Sequence, residues 1–386
     1  MAMKRPKKPS KKTNTLSAIP GSGRRTADIM QLPDDIAAWR IGVVGGGSWG
    51  TALANLLALK GYRIDWWIFE PEVCQQVRDQ RENGVFLPGF KLPENLLPTT
   101  DLDTVVGGKD LVLVVVPSHV MRTVSSKMAP FIDDATIVVT ASKGIENKTH
   151  LTMSGILAET LPGVGPQRIA ALSGPSFAKE VVAMAPTVVT LAARDALQAE
   201  QVQQVFAAPY FRVYTSEDII GVELGGAVKN VIAIAAGIID GMQLGLNARA
   251  ALITRGLAEI RRLGQQLGAN TDTFSGPSGV GDLILTCTGD LSRNHMVGKK
   301  IGEGMHLPEI LDEMRMVAEG VKTAKSVYNL SNRLGVDMPI SHEIYRILHE
   351  DASPREALAR LMSRDLKHER YDIDPTVNNG VIAHGP

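Results

Sequence analysis

The feature that most constrains this chain is a junction of two patterns at residues 41–60. Ile41-Gly42-Val43-Val44 is a short, mostly β-branched apolar run, which reads as a buried strand. Gly45-Gly46-Gly47-Ser48-Trp49-Gly50 follows, and then an Ala/Leu-rich helical stretch from Thr51 to Lys60. Gly45, Gly47 and Gly50 spell G-x-G-x-x-G. Gly45 permits a tight turn, Gly47 lets a pyrophosphate approach the backbone, and Gly50 lets helix pack on strand, with the helix N-terminus facing the phosphates. A strand before and a helix after are what this fingerprint requires. The same residues also spell G-x-S-x-G, as Gly46, Ser48 and Gly50, the nucleophile-elbow pattern. That reading puts a nucleophile on the first strand with no compelling His and acid pair downstream, so Ser48 is read as a phosphate donor.

The alternation continues. A second strand over Tyr62 to Phe69 ends at Glu70, about 20 residues past the last glycine, where a Rossmann unit reads the adenine ribose. An acid there favours a free 2′-hydroxyl, hence NAD, although Glu70 is equally a helix-starting acid before Pro71. A helix over 71–82 leads to a turn at Phe86-Leu87-Pro88-Gly89. Strands are then predicted over Asp110 to Val116, Ala135 to Thr140, Ile169 to Leu172, Val188 to Leu191 and Arg212 to Tyr214, with a helix over Ala196 to Phe206. Three strand ends carry small or polar residues: Pro117-Ser118-His119, Ser142-Lys143-Gly144, and Ser173-Gly174-Pro175-Ser176-Phe177. In a doubly wound sheet such ends line one crevice, where ligands bind. Lys143 there could meet an anion or be a solvated loop lysine; His119 is read as a hydrogen-bonding bystander. Beyond about residue 215 helical spacing dominates to about 363. The pattern predicts an α/β fold: a dinucleotide-binding Rossmann-like domain over 38–215, then an all-α domain over 216–370.

A chain of 386 residues is too long for one ordinary core, which agrees with two domains plus tails. Lys+Arg and Asp+Glu balance at 41 each, so no global field points to nucleic acid or an anionic membrane. Two cysteines, Cys74 and Cys287, give no disulfide framework and fit a reducing cytosol. No histidine falls in a metal-ligand spacing, and no metal is expected. The longest apolar run, Ala227 to Ile239, is shorter than a bilayer span and contains Lys229, so no membrane insertion is expected. Residues 1–37 are a basic arm rich in Lys, Arg, Pro, Ser and Thr, without the apolar run of a secretory signal. It reads as disordered, with a nucleic-acid contact or a targeting peptide as the alternatives. Residues 371–386 read as a loose tail.

The helical half is organised around Gly221 to Asp240, GVELGGAVKNVIAIAAGIID. As a helix, it puts Lys229 on one face with Gly225, Gly226, Ala233, Ala236 and Gly237. Glycines weaken such a helix by roughly 1 kcal/mol each relative to alanine. Two reasons for them stand open: close packing of another backbone, or room for a small ligand beside the ammonium. A lysine in this company is paired, has its pKa lowered, or snorkels out of the core. Further on, Gly276-Pro277-Ser278-Gly279-Val280-Gly281-Asp282 is a glycine-rich loop that delivers Asp282, a candidate partner for a buried lysine or a plain helix-starting acid. Ser292 is a good N-cap for a helix running to about Ile301. Arg293 and Asn294 at that helix start make a candidate phosphate or carboxylate site.

Taken together, these motifs resemble the bacterial-type NAD(P)-dependent glycerol-3-phosphate dehydrogenases. The resemblance covers residues 41 to about 370. It rests on VVGGGSWGTALA at 43–54, VVVPSH at 114–119, SKG at 142–144 and SGPSFAKE at 173–180. It continues through GVELGGAVKNVIAIAAG at 221–237, NARAALITRGLAE at 247–259, GDLILTCT at 281–288, SRN at 292–294 and VAEG at 317–320. It implies a Rossmann-like sheet followed by an all-α domain of the 6-phosphogluconate dehydrogenase-like kind. It also implies NAD(P)H-dependent, reversible reduction of dihydroxyacetone phosphate to sn-glycerol 3-phosphate, feeding glycerophospholipid synthesis in the cytoplasm, by a homodimer. Lys229 is then the general acid/base, and the glycines and alanines around it are expected to leave space for a three-carbon phosphate and the nicotinamide. Lys143, Gly174, Ser176, Asp282, Ser292, Arg293 and Asn294 are carried over as substrate contacts. Gly45, Gly47, Ser48, Trp49, Gly50, Phe69, Glu70, Lys143, Ala178, Arg293, Val317 and Glu319 are carried over as cofactor-site residues. The family often has His or Arg near position 69, able to hold a 2′-phosphate; this chain has Phe69 and Glu70, which leaves NADH against NADPH open. The loop Gly-Pro-Ser-Gly also departs from the family's usual apolar or alanine pair between the glycines. Two rival readings are a dehydrogenase of similar architecture acting on a hydroxy acid, and a non-catalytic dinucleotide sensor or nucleic-acid binder.

Overall fold

The computed structural model describes residues 34–314 and 318–366. The basic arm up to residue 33, Val317 and the tail after residue 366 lie outside the described residues. One eight-stranded sheet carries the first half of the chain. Its strands are β1 Ile41–Val44, β2 Ile64–Trp67, β3 Leu96–Thr99, β4 Leu111–Val114, β5 Ile137–Thr140, β6 Ile169–Ser173, β7 Thr187–Ala193 and β8 Phe211–Ser216, in spatial order 3-2-1-4-5-6-7-8. Neighbours run parallel except β6 and β7, which are antiparallel, so the sheet is mixed. β1, β4 and β5 are buried on both faces because helices cover both sides, which is why they read as unbroken apolar runs. Strand order reverses between β1 and β4, and the crevice at their C-terminal ends is where such sheets take ligands.

Three features differ from the sequence reading. β3 was not anticipated: it is four residues long and holds Pro98, which an edge strand tolerates because one side needs no ladder bond. The antiparallel turn of β7 left no pattern in the sequence. The helix after β1 begins at Ser48, three residues earlier than expected, which brings Ser48 and Trp49 into its first turn.

The helical half is built on Ile219–Gly241, capped by Asp218, whose carboxylate accepts the Gly221 N–H. With 23 residues it is longer than the apolar run suggested and long enough to cross a membrane, but 94% of its most apolar window is buried inside the protein. Helices Leu246–Gln266, Asp282–Thr288, Arg293–Gly302 and Glu319–Leu334 pack around it. Its glycines are filled by protein. A Cβ on Gly225 would stand 2.4 Å from the Ser278 carbonyl oxygen; on Gly226, 2.4 Å from Ser173 Oγ; on Gly237, 2.0 Å from the His295 carbonyl oxygen; on Gly241, 2.2 Å from that of Lys299. The facing helix answers with Gly298 and Gly302, where a Cβ would stand 1.9 Å from the Ile234 and 2.4 Å from the Ile238 carbonyl oxygen. Close packing of another chain segment, rather than room for a ligand, is therefore what these glycines provide. It sets Arg293–Gly302 in backbone contact with the helix that carries Lys229.

Candidate active site

Lys229 Nζ donates to Asp282 Oδ1 at 2.5 Å and to Thr286 Oγ1 at 2.6 Å. The Thr286 hydroxyl in turn donates a hydrogen bond to the Asp282 backbone carbonyl at 2.6 Å. Asp282 reaches the lysine because Pro277–Gly281 is not an open loop but a π-helical turn, which runs straight into helix Asp282–Thr288. Both charged groups are buried, Lys229 at 6% and Asp282 at 1% exposure. Burial lowers the Lys229 pKa to about 8; Asp282 opposes that shift, and the charge of Lys143 adds to it. An ammonium has three N–H groups, and two are taken by Asp282 and Thr286. The third remains for an incoming oxygen.

Lys143, just past β5, donates to the other Asp282 oxygen at 2.6 Å and to the Gly174 carbonyl at 3.2 Å. One carboxylate thus joins two ammonium groups, one from the sheet and one from the helical half. Gly174 sits at φ 151°, and a Cβ there would stand 2.8 Å from Val189 Cα. Ser176 donates to its carbonyl oxygen at 3.0 Å, and Ala178 opens the short helix that follows.

At the other end of the site Ser292 caps helix Arg293–Gly302, its hydroxyl accepting the His295 N–H. Asn294 bridges: its amide donates to Asn230 Oδ1 at 3.0 Å and accepts the Gly320 N–H at 2.9 Å. Asn230 adjoins Lys229, so one hydrogen bond pins the start of the Arg293 helix to the residue beside the lysine. Among the described residues the Arg293 guanidinium makes no hydrogen bond or ion pair. Burial lowers its pKa, with Glu319 acting in the opposite sense. A half-buried guanidinium with no partner is an anion site in waiting.

The cofactor-site candidates gather at the crevice. Gly45 lies at φ 132°, and a Cβ there would meet the Val115 carbonyl oxygen at 2.1 Å; a Cβ on Gly50 would meet the Gly45 carbonyl at 2.2 Å. Both are needed by the turn itself. Gly47 is different, with no atom within 4 Å of where its Cβ would be. Ser48 donates to the Phe86 carbonyl at 2.6 Å, and Trp49 Nε1 is buried without a partner. Phe69 is 68% exposed, and Glu70 starts the next helix without a side-chain cap bond. Glu319 accepts from the backbone and hydroxyl of Ser118, at the end of β4.

Family models for the NAD-dependent glycerol-3-phosphate dehydrogenase N-terminus and C-terminus match residues 40–199 and 218–359. The chain belongs to the NAD-dependent glycerol-3-phosphate dehydrogenase family. It is 56% identical over 329 residues to the glycerol-3-phosphate dehydrogenase (NAD(P)+) of Syntrophobacter fumaroxidans, covering 85% of this chain and 97% of that one. With the Geobacter metallireducens protein of the same name identity is 55%, over 86% and 99% of the two chains. The crystal structure of glycerol-3-phosphate dehydrogenase from Coxiella burnetii superposes with a TM-score of 0.81 at 39% identity, over 84% of this chain and 99% of that one.

The crevice fits the dinucleotide this family's name implies. The backbone is open at Gly47, at the N-terminus of helix Ser48–Leu59, and the Trp49 indole N–H in the first turn is buried without a partner. Among the described residues no group of three or more His, Cys, Asp or Glu could hold a metal ion. For a glycerol-3-phosphate dehydrogenase site, the sequence gave no role to Thr286 or Asn230, and to Ser118 only a place along the crevice. Thr286 lies four residues after Asp282 on one helix, so helical spacing could have found it. The partnerships of Asn230 and Ser118 span 64 and 201 residues, and no local pattern reports those.

Proposed function

We propose that this chain interconverts dihydroxyacetone phosphate and sn-glycerol 3-phosphate, with Lys229 as the proton donor and acceptor. It is an NAD(P)-dependent oxidoreductase acting on a CH–OH group. The observation that carries the reading is the Lys229 ammonium, held by Asp282 and Thr286 with one N–H left over, on a helix tied through Asn230 and Asn294 to the start of the helix that carries the unpaired Arg293. The bound dinucleotide supplies or takes the hydride. Lys229 directs its free N–H at the carbonyl oxygen, polarises it, and gives up a proton as the alcohol forms; in reverse it accepts one. Asp282 fixes the ammonium and offsets part of the cost of burying it. Arg293 holds the substrate phosphate, binding energy that orients the reacting carbon. Lys143, Gly174 and Ser176 line the sheet side of the substrate; Ser292 and Asn294 act by fixing the Arg293 helix. Gly45, Gly47, Gly50, Trp49, Ala178 and Glu319 form the cofactor's side, with Ser48 holding the Phe86 loop.

We also propose a domain division near residue 215; the end of β8 at Ser216 and the start of the central helix at Ile219 support it. Assembly as a homodimer is proposed as well. An apolar groove lined by Ile239, Leu252, Ile347, Leu358 and Leu361 is the face such an assembly would cover, and light scattering measures it. The test of function is oxidation of NADH or NADPH with dihydroxyacetone phosphate set beside unphosphorylated dihydroxyacetone. Robust turnover of the phosphate ester and little of its analogue is expected. No oxidation with either would overturn the reading.

A further inference from the structure

We propose that Glu223 is a positioning residue for this reaction: standing on the helix that carries Lys229, it clamps the turn that follows β5 and so holds the Lys143 ammonium against Asp282. The proposal rests on the reading of Lys229 and Lys143 as members of one active site. Glu223 is buried, and among the described residues no cation pairs with it. Its partner is the start of helix Met153–Thr160, 69 residues earlier in the chain. The Ser154 N–H donates to one carboxylate oxygen at 2.8 Å, and the Ser154 hydroxyl donates to the other. The Thr152 hydroxyl and the Met153 N–H face the same carboxylate. A carboxylate in this position satisfies N–H groups that a helix start leaves unpaired. Here it comes from the other half of the molecule, so the cap ties the sheet to the central helix.

Lys143 lies at the opposite end of the same turn. Thr152 forms a β-bridge with Ile145, closed by the Glu146 N–H on the Leu151 carbonyl at 2.9 Å. Ile145 is buried in the apolar core of the helical half, and its carbonyl accepts from the Ser326 hydroxyl at 2.8 Å. Gly144 leaves little slack before it, since a Cβ there would stand 2.4 Å from Ser118 Cβ. The outer side of the turn is tied to the sheet half instead, with Glu146 accepting from Arg122 at 2.8 and 2.9 Å. The turn is thus gripped from both halves, and Glu223 supplies the grip from the helix that bears Lys229. A lysine on the sheet is thereby held in register with a lysine on the helix, close enough for its charge to lower the Lys229 pKa.

The experiment compares the native chain, Glu223→Ala and the milder Ser154→Ala in kcat/KM for dihydroxyacetone phosphate as a function of pH. For Glu223→Ala a fall of about tenfold is expected. The pH at which kcat/KM declines should also move up from about 8, by about half a unit, because the Lys143 charge has drawn back. Ser154→Ala should shift both in the same sense by less, and it carries the comparison if Glu223→Ala does not fold. On a Lys143→Met background either substitution should cost little more, since the group it positions is gone. A loss equal at every pH, or costs that add in the double variant, would overturn the proposal and leave Glu223 a packing residue. If the native chain reduced no ketone phosphate, the reaction itself would fall and hydrogen exchange would decide the clamp. The Glu146 amide should exchange severalfold faster in the folded variants than in the native chain, and unchanged exchange would overturn the clamp.

Discussion

Lys229 Nζ and Asp282 Oδ1 lie 2.5 Å apart, both buried, on two helices and 53 residues apart in sequence. The pair is not closed on itself: the second Asp282 oxygen is held by Lys143. Removing Lys229 therefore leaves Asp282 a charged partner, which a simple buried pair would not.

The first expectation follows. Lys229→Ala folds, binds nucleotide with nearly native affinity, and loses turnover by about 10²–10⁴, the range for a positioned proton donor. Stopped-flow turnover and a thermal melt measure both halves. Comparable turnover by the variant would remove Lys229 from the chemistry.

The second concerns pH. With its pKa lowered to about 8 by burial, Lys229 is an ammonium below that pH and an amine above it. Carbonyl reduction needs the proton on the lysine, so its kcat/KM falls as pH rises through about 8, approaching roughly tenfold per unit. Alcohol oxidation needs the amine, so its rate climbs through the same interval. A reduction rate that stays flat to pH 10, on the order of an unperturbed lysine, contradicts the role given to burial.

Arg293→Ala tests the anchor. A charge-assisted hydrogen bond contributes about 1.5–3 kcal/mol, so the KM for dihydroxyacetone phosphate should rise by roughly tenfold to a hundredfold. Turnover of unphosphorylated dihydroxyacetone should barely change, since it has nothing for the guanidinium to hold. An unchanged KM for the phosphate ester would take Arg293 out of the phosphate site.

The strand, glycine turn and helix at residues 41–60 were legible because the fingerprint imposes residue types at fixed spacing. Lys229 was conspicuous as a charge in an apolar helix. What held it was harder to see. Asp282 was one of several loop acids until a π-helical turn carried it to the lysine, and Thr286 was one of two threonines in a short helix. The glycines of the central helix had two physical explanations; the family resemblance favoured room for the ligand, and the packing shows the other to be right. The choice depends on Ser278, Ser173, His295 and Lys299 arriving from elsewhere in the chain.

That choice is itself testable. Gly298→Ala places a methyl 1.9 Å from the Ile234 carbonyl oxygen, with the central helix unable to retreat from a second glycine contact one turn on. A loss of about 3 kcal/mol is expected from overpacking, read by urea unfolding. Because the same helix begins with Arg293, the surviving fraction should also show a raised KM for the phosphate ester. A variant as stable as the parent would restore the idea that these glycines keep space for ligand.

The glycine turn contains the sharpest contrast. Gly45 and Gly47 belong to one motif but answer to different demands. Gly45 is held at φ 132°, with a carbonyl oxygen 2.1 Å from its would-be Cβ, so Gly45→Ala strains the turn and should lower stability. Gly47 has an ordinary φ of −68° and empty space around its Cβ direction. Gly47→Ala should therefore melt within a degree or two of the parent, roughly the 0.5 kcal/mol of a neutral surface change. Its methyl would occupy the space where the pyrophosphate approaches the backbone, so nucleotide affinity should fall by about tenfold or more. Melting temperature and nucleotide Kd, measured on both variants, separate the glycine that makes the fold from the glycine that admits the ligand. If Gly47→Ala bound nucleotide as the parent does, the pyrophosphate would not lie over that backbone, and the placement of the cofactor in the crevice would fail with it.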